Sequence, residues 1–473
     1  MITLRPFQEV LINTTRHSLQ QGKKSPLLVS PCGSGKTVMF SEFSRRVTEK
    51  KKRTMILAHR EELLEQISNT LNGFNVPHSF IAAGRPFNRS SPVQVASVFS
   101  VARRLDKIDA PDVIIIDEAH HAILGSTWSK VFDAFPKAWR IGVTATPQRM
   151  TGEALGDVFD DMILGPTVEE LISMGYLCNY KLYVPSTIDT SGIATRMGDF
   201  DKKALGRAAD TPRITGDAVK EYHTIAPGKR AVAFCVSIEH SKHVAAEFTA
   251  AGYVAMSIDG KMDREVRRGI VRDFREGKIN VLTSCDLISE GFDLPAIEVA
   301  IMLRPTQSLA LWIQQSGRAL RPYPGKHFAI ILDHAGNCER HGLPDEDRTW
   351  TLSGRTKRTG GDANGPSVRI CPKCFAAQYP GTTACRFCGF VFDVAPRTVD
   401  QVAGDLKEVD LAVIRKQRNR EQAQAQSFES LVELGQKRGY KNPAAWARFV
   451  FNSRRQKLAA NAGPQASHPL PQG

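Results

Sequence analysis

Apolar residues recur in short runs along the first 165 positions, each run ending in polar residues and followed by an amphipathic stretch. Leu27–Val29, Thr54–Ala58, Val93–Ala96, Val113–Ile116 and Arg140–Val143 are such runs. Runs this short and this apolar predict strands buried on both faces, as parallel sheets require. The stretches between them, one running to Leu19 and another opening at His59-Arg60-Glu61-Glu62, predict helices. Strand alternating with helix predicts a parallel, doubly wound α/β domain over 1–165.

The pattern breaks over 166–215, where Gly192, Gly198 and the charged run Asp199–Lys203 predict a linker or insert with some helix. It restarts near Arg230. Strands are expected at Ala231–Cys235, Val254–Ile258 and Ile279–Thr283, with helices at Glu239–Ala250 and Arg264–Arg275, giving a second parallel-sheet domain over 216–352. Residues 353–366 are rich in Gly, Thr and basic residues and predict an exposed linker. A cysteine-bearing element follows at 367–392, then a basic helical module at 393–461 with helices expected at Leu411–Ala425, Glu429–Arg438 and Pro443–Lys457. The Pro/Gln/Ser-rich end, 462–473, predicts disorder. Beyond the two sheet domains there is no internal repeat.

Charge narrows the class of partner. Lys and Arg number 63 against 49 Asp and Glu, a net charge of +14, which suits a polyanion such as nucleic acid. No apolar run approaches the roughly 20 residues that span a bilayer, and the N-terminus lacks a signal-peptide pattern. Five of the nine cysteines are scattered. A reducing, cytoplasmic location is expected, with no membrane partner.

The chemistry sits at the strand tips. Ser30-Pro31-Cys32-Gly33-Ser34-Gly35-Lys36-Thr37 lies between a strand and a helix, and a Gly-rich turn there cradles phosphates. Lys36 would reach the β/γ-phosphates and Thr37 would hold Mg²⁺; a chance Gly-rich turn is the bland alternative. The strand Val113–Ile116 ends in Asp117-Glu118-Ala119-His120. Asp117 can hold Mg²⁺ and Glu118 can orient and deprotonate the attacking water, although an acidic helix start after a core strand is common. Gln8, behind Arg5, can hydrogen-bond an adenine edge through both halves of its amide; it could equally be a surface glutamine.

Asp117–His120 resembles the DEAH box of superfamily 2 helicases and translocases, whose phosphate loop often lacks the first glycine, as Ser30 does here. Leu4-Arg5-Pro6-Phe7-Gln8 resembles the adenine-contacting element of that group. Ala58-His59-Arg60 resembles its strand-contacting motif, with Ser97 a second candidate and Ser237 and Thr283 their expected counterparts in the second domain. Thr144-Ala145-Thr146 matches the motif coupling the nucleotide site to the second domain. Gly291 and Asp293, within Glu290–Pro295, resemble the motif that approaches ribose and nucleic acid. Gln314–Arg321 matches Gln-x-x-Gly-Arg-x-x-Arg, which makes Gln314, Arg318 and Arg321 catalytic candidates. Spaced three apart, the two arginines would share a helix face, and guanidinium groups suit developing γ-phosphate charge. The resemblance implies two tandem RecA-like motor domains that bind Mg²⁺–ATP between them through Arg5, Gln8, Gly33, Ser34, Gly35, Lys36 and Thr37.

Cys371-x-x-Cys374 and Cys385-x-x-Cys388, with ten residues between the pairs, supply four thiolates for a structural zinc site, although that loop is shorter than the roughly fifteen to twenty of one common zinc spacing; disulfides are the alternative. This element, Gly198-Asp199-Phe200 and Asp333-His334-Ala335-Gly336-Asn337 together resemble RadD-type bacterial and prophage helicases, DNA-dependent ATPases of DNA repair. The resemblance implies a nucleoid-associated enzyme on single-stranded or branched DNA, with single-strand-binding or recombination proteins as partners. The motor is also similar to restriction-enzyme translocase subunits, but no nuclease carboxylate motif stands out. An RNA helicase, or a nucleotide-gated clamp without strand separation, remains open on sequence alone.

Overall fold

The computed structural model describes residues 2–149, 153–185, 190, 192–196, 199–285, 294, 296–353, 357–358 and 368–392. Further along it describes 421–422, 424–425, 427–438, 443–444, 447–448 and 450–451. The chain divides into a unit of Met1–Val394 and a second of Ala395–Gly473.

Seven strands form the first sheet: β1 (Pro26–Val29), β2 (Thr54–Ala58), β3 (His78–Ile81), β4 (Val93–Ser97), β5 (Val113–Asp117), β6 (Trp139–Thr144) and β7 (Asp161–Leu164). They lie in the order β3-β4-β2-β5-β6-β1-β7, every pairing parallel. β1, β2 and β5 are buried at every position because helices cover both faces. Leu11, Met39, Phe40 and Leu64, from the helices Pro6–Gln20, Lys36–Glu49 and Glu61–Gly73, fill one face. Val98, Trp128, Val131 and Phe132 fill the other. Each fully buried side chain of this kind contributes roughly 1.5–3 kcal/mol relative to an exposed one.

The second sheet begins inside the stretch expected to be a linker. β8 (Asn179–Tyr183) precedes a short hairpin, β9 (Thr195–Arg196) with β10 (Asp199–Phe200). Then come β11 (Ala231–Phe234), β12 (Ala255–Ile258), β13 (Val281–Ser284), β14 (Val299–Met302) and β15 (Phe328–Asp333). Their order is β12-β13-β11-β14-β15-β8, again all parallel. The expected helix Arg264–Arg275 is present with those bounds, and Ile238–Ala250 matches its expectation but for one residue. The hairpin is docked on this domain: the Asp199 carboxylate accepts from the Thr306 hydroxyl at 3.0 Å and the Gln307 backbone N–H at 2.7 Å.

The cysteine element is not set apart from the motor as its preceding linker suggested. Its two strands, Arg369–Ile370 and Ala377–Gln378, pair antiparallel. The Val184 N–H just past β8 donates to the Phe375 carbonyl at 2.9 Å, and Tyr183 bridges to Ala376. In the second unit the helix Phe428–Lys437, capped by the Ser427 hydroxyl, agrees with its expectation to one residue at each end. Most of the helix expected at 411–425, much of that at 443–457, and the tail 462–473 lie outside the described residues.

Candidate active site

The loop after β1 is shaped by two left-handed glycines, Gly33 at φ +84° and Gly35 at φ +85°. A side chain at either would also collide. A Cβ on Gly35 would stand 2.4 Å from Gln8 Nε2, and one on Gly33 would stand 2.8 Å from Leu177 Cδ2. Gly35 is the N-cap of the helix Lys36–Glu49, so backbone N–H groups and the helix dipole converge on the loop. Lys36 Nζ donates to the carbonyls of Ser30 and Pro31, both at 3.3 Å. Ser30 N–H donates to the Thr144 carbonyl at 3.0 Å and ties the loop to β6.

Gln8 sits differently from a base reader. Its Oε1 accepts from the Arg5 backbone N–H at 2.9 Å, and its Nε2 donates to the Ser34 carbonyl at 2.8 Å. At 2% exposed, it braces the phosphate loop against the first helix. Arg5 lies over the Tyr176 ring at 4.5 Å, and Phe7 packs on the same ring with centroids 5.4 Å apart. Burial lowers the Arg5 pKa from its ordinary value.

β5 delivers Asp117, buried, whose Oδ1 accepts from the Glu118 N–H at 3.0 Å. Glu118 itself is left-handed, φ +47° and ψ +55°, a conformation rare enough outside glycine to mark a site. It turns the chain into the short 3₁₀ segment Ala119–His121. His120 Nδ1 lies 3.5 Å from Glu118 Oε2 and 3.0 Å from Thr144 Oγ1. Thr144 Oγ1 in turn donates to the Thr146 carbonyl at 3.1 Å. The Thr-Ala-Thr stretch therefore touches both the phosphate loop and the acidic strand tip.

From the second sheet, the helix Leu309–Ala319 presents Gln314 and Arg318, both buried. Arg321 falls two residues past the helix end rather than on the same helical face, because the helix stops at Ala319. Lys326 holds this terminus. Its ammonium donates to the carbonyls of Arg321 at 2.8 Å and Ile297 at 2.7 Å, and also to that of Ala319. Burial lowers its pKa to about 8. Gly317 presses on the phosphate loop, where a Cβ would meet Cys32 Cβ at 2.7 Å.

All of these close on one cavity of about 950 Å³. Arg5, Gly33, Gly35, Lys36, Thr37, Asp117 and Glu118 line it from the first domain, and Gln314, Arg318 and Arg321 from the second. The buried Gln314 Nε2, bordering the cavity, has no hydrogen-bond acceptor among the described residues. Such a wall can bind a triphosphate, position water beside a carboxylate and place guanidinium groups at the far side. Ser34 is fully buried and supports the loop from behind. Gly291 and Asp293 lie outside the described residues.

A further wall was not anticipated. Arg267, Arg268, Arg272 and Arg275 line the cavity opposite Gln66, Asn69 and Thr70. Arg268 Nη2 crosses to Glu65 Oε1 at 2.6 Å. The signal is in the sequence, as arginines three and four apart on one predicted helix.

The strand-contact candidates divide. His59 and Arg60 follow the tip of β2, and Ser97 ends the neighbouring β4, paired with Ala58. Ser237 caps the helix Ile238–Ala250 by accepting from the His240 N–H at 3.0 Å. Thr283 does not reach the surface. Its hydroxyl is buried and donates to the Ser241 carbonyl at 2.6 Å, so it supports the layer beneath rather than touching a strand.

The four cysteine sulfurs lie within 4.8 Å of one another. Cys371–Cys388 and Cys374–Cys385 are each 3.6 Å apart, too far for the roughly 2.05 Å of a disulfide. It is close to the ~3.8 Å edge of a tetrahedron of thiolates about 2.3 Å from a metal. The donor set and its spacing fit zinc.

Residues 1–149 match the family described as Type III restriction enzyme, res subunit, and residues 215–323 match the Helicase conserved C-terminal domain. A 51.5 kDa protein of a Lactococcus phage is 38% identical over 370 residues, 78% of each chain. A Saccharomyces cerevisiae protein assigned as an ATP-dependent helicase, IRC3, is 32% identical over 354 residues. That match covers 70% of this chain and spans about half, 51%, of the yeast protein. Among solved structures, the ATP-dependent Type ISP restriction-modification enzyme LlaBIII bound to DNA shares the fold. Its TM-score is 0.52 at 20% identity, over 70% of this chain and 28% of that one.

Proposed function

The chain belongs to the superfamily 2 helicase family, and from that premise we propose that it is a DNA-dependent ATPase coupling hydrolysis to movement along DNA in repair or recombination. One observation carries the reading. Lys36 and Glu118 stand on one wall of the cavity and Arg318 and Arg321 on the other, each wall belonging to a different sheet. A triphosphate held by Lys36 draws the arginines in, and loss of the γ-phosphate releases them, so the two domains move with each turnover. Glu118 orients the attacking water, while Arg318 and Arg321 stabilise charge developing on the transferred phosphoryl group. Thr37 and Asp117 would hold Mg²⁺, which would supply positive charge against the phosphates.

DNA is proposed over RNA on the resemblance to RadD-type DNA helicases, and the net charge of +14 suits either polymer. His59, Arg60 and Ser97 at adjacent strand tips are the proposed strand contacts in the first domain, with Ser237 in the second. Cys371, Cys374, Cys385 and Cys388 are proposed to hold one zinc, as in RadD-type helicases. Partner proteins would come from single-strand binding or recombination. Among the described residues no helix is long and apolar enough to cross a membrane.

ATP hydrolysis measured without polymer, with single-stranded DNA, with duplex DNA and with RNA tests the proposal. Stimulation by DNA well above that by RNA is expected. Stimulation by RNA alone, or by no polymer, overturns it.

A further inference from the structure

Three imidazoles form a column beside the catalytic carboxylate. The ring centroids of His120 and His121 are 4.2 Å apart, as are those of His121 and His59. At one end His120 Nδ1 lies 3.5 Å from Glu118 Oε2. At the other, His59 follows the tip of β2 next to Arg60. His120 belongs to the Asp-Glu-Ala-His stretch, whereas His121 and its contact with His59 have no part in the roles assigned above.

We propose that His121 is a positioning residue that passes the state of the strand-contacting loop at His59 to Glu118, so that strand binding sets the catalytic carboxylate for hydrolysis. The inference rests on the DNA-stimulated ATPase proposed above. The turn carrying His120 and His121 is held at both ends. Asp117 Oδ1 accepts from the Glu118 N–H at its start, and the buried Arg149 guanidinium donates to the Ala122 carbonyl at its finish. Arg149 is fixed in turn by the Ala154 carbonyl at 2.7 Å. With the backbone pinned, a ring displaced at His59 cannot be absorbed by sliding the turn. It is transmitted side chain to side chain, because close-packed groups respond by moving together. Glu118 lies at the end of the column, and with its backbone held in a left-handed conformation the shift falls on its side chain. His120 also contacts Thr144, so a shift in the column reaches the stretch tied to the phosphate loop as well.

Strand contact alone would make His59 a binding residue with no bearing on hydrolysis once DNA is saturating. The column makes a different claim, a coupling between two sites that only a cycle of variants measures. In the full-length protein, His121→Ala should leave nucleotide affinity and polymer-free turnover near wild type. It should lower the ratio of DNA-saturated to polymer-free turnover by about tenfold, within the span usual for coupled sites. His121→Leu, which fills the volume without a ring, should behave alike, and His121→Phe, which keeps a ring in the stack, should restore most of the ratio. His59→Ala should also lower the ratio at saturating DNA, and adding His121→Ala to it should cost little more. Should His121→Ala fold poorly, the comparison of His121→Phe with His121→Leu decides. Wild-type turnover that ignores DNA overturns both this inference and the proposed function. Wild-type stimulation with an unaltered ratio in His121→Ala or His121→Leu overturns the inference alone. So does an equal loss of basal and stimulated turnover, or strictly additive effects of His59→Ala and His121→Ala.

Discussion

Gly317→Ala tests how closely the arginine-bearing helix must approach the phosphate loop. The added methyl would stand 2.7 Å from Cys32 Cβ, where ordinary contact begins at 3.4 Å, so the two elements must part by about 0.7 Å. Neither partner is a flexible chain end; one is the loop's own Cβ and the other the helix. The displacement falls on Arg318, the next residue, and on the loop that leads to Lys36. Misplacement on the order of 1 Å can cost about 10²-fold in rate, equivalent to roughly 2.7 kcal/mol at the transition state. Overpacking of this kind typically costs about 1–3 kcal/mol, against the roughly 0.5–1 kcal/mol by which alanine is favoured over glycine within a helix, so stability should fall only modestly. Single-turnover ATP hydrolysis at saturating nucleotide and DNA, alongside a thermal melt, separates the two effects. Turnover should fall by about 10–100-fold, with a Tm lowered only modestly. Cys32→Gly removes the opposing Cβ and should rescue Gly317→Ala, whereas Cys32→Ala keeps that atom and should not. Near-normal turnover in Gly317→Ala, or equal behaviour of the two Cys32 backgrounds, would refute the reasoning.

Lys36→Ala should lose nucleotide binding, while Glu118→Gln should bind nucleotide and fail to hydrolyse it; equilibrium binding with a fluorescent nucleotide beside steady-state turnover distinguishes them. Purified protein should carry one zinc per chain, and Cys374→Ser should lose it together with part of the affinity for DNA. Metal analysis showing zinc retained in that variant removes the assignment. Lys326 gives a pH signature. Its pKa in the folded protein, about 8, lies below its ordinary 10.5, so between those values the unfolded chain binds more protons and stability from this group rises with pH. Between pH 7.5 and 9.5 wild type should gain up to about 2 kcal/mol relative to Lys326→Met in denaturant unfolding, and parallel curves for the two proteins count against it.

What the sequence discloses follows burial. Strands covered on both faces, β1, β2 and β5, are continuous apolar runs and can be read directly. β3, β7 and β8 cannot, and all three are sheet edges with mixed exposure. An edge strand faces solvent or loop on one side, so its residues lose the unbroken apolar signature. The phosphate loop and the acidic strand tip are legible because their chemistry fixes local spacing. Arg321 was expected on a helical face because spacing alone does not reveal where a helix stops. Thr283 and Gln8 have side chains whose roles depend on distant partners, Ser241 and Ser34, which no local pattern predicts.

β8 comes early in the chain but lies outermost in the second sheet, and the cysteine element, nearly two hundred residues later, pairs with its end. A free edge is a template on which another copy's strand can add. The cysteine element is thus a stopper for sheet growth as well as a scaffold for its own sulfurs. If the cysteines hold zinc as proposed, a chain stripped of it would present Tyr183 and Val184 with open backbone groups, and its first symptom would be self-association at high concentration, before any loss of the motor's fold.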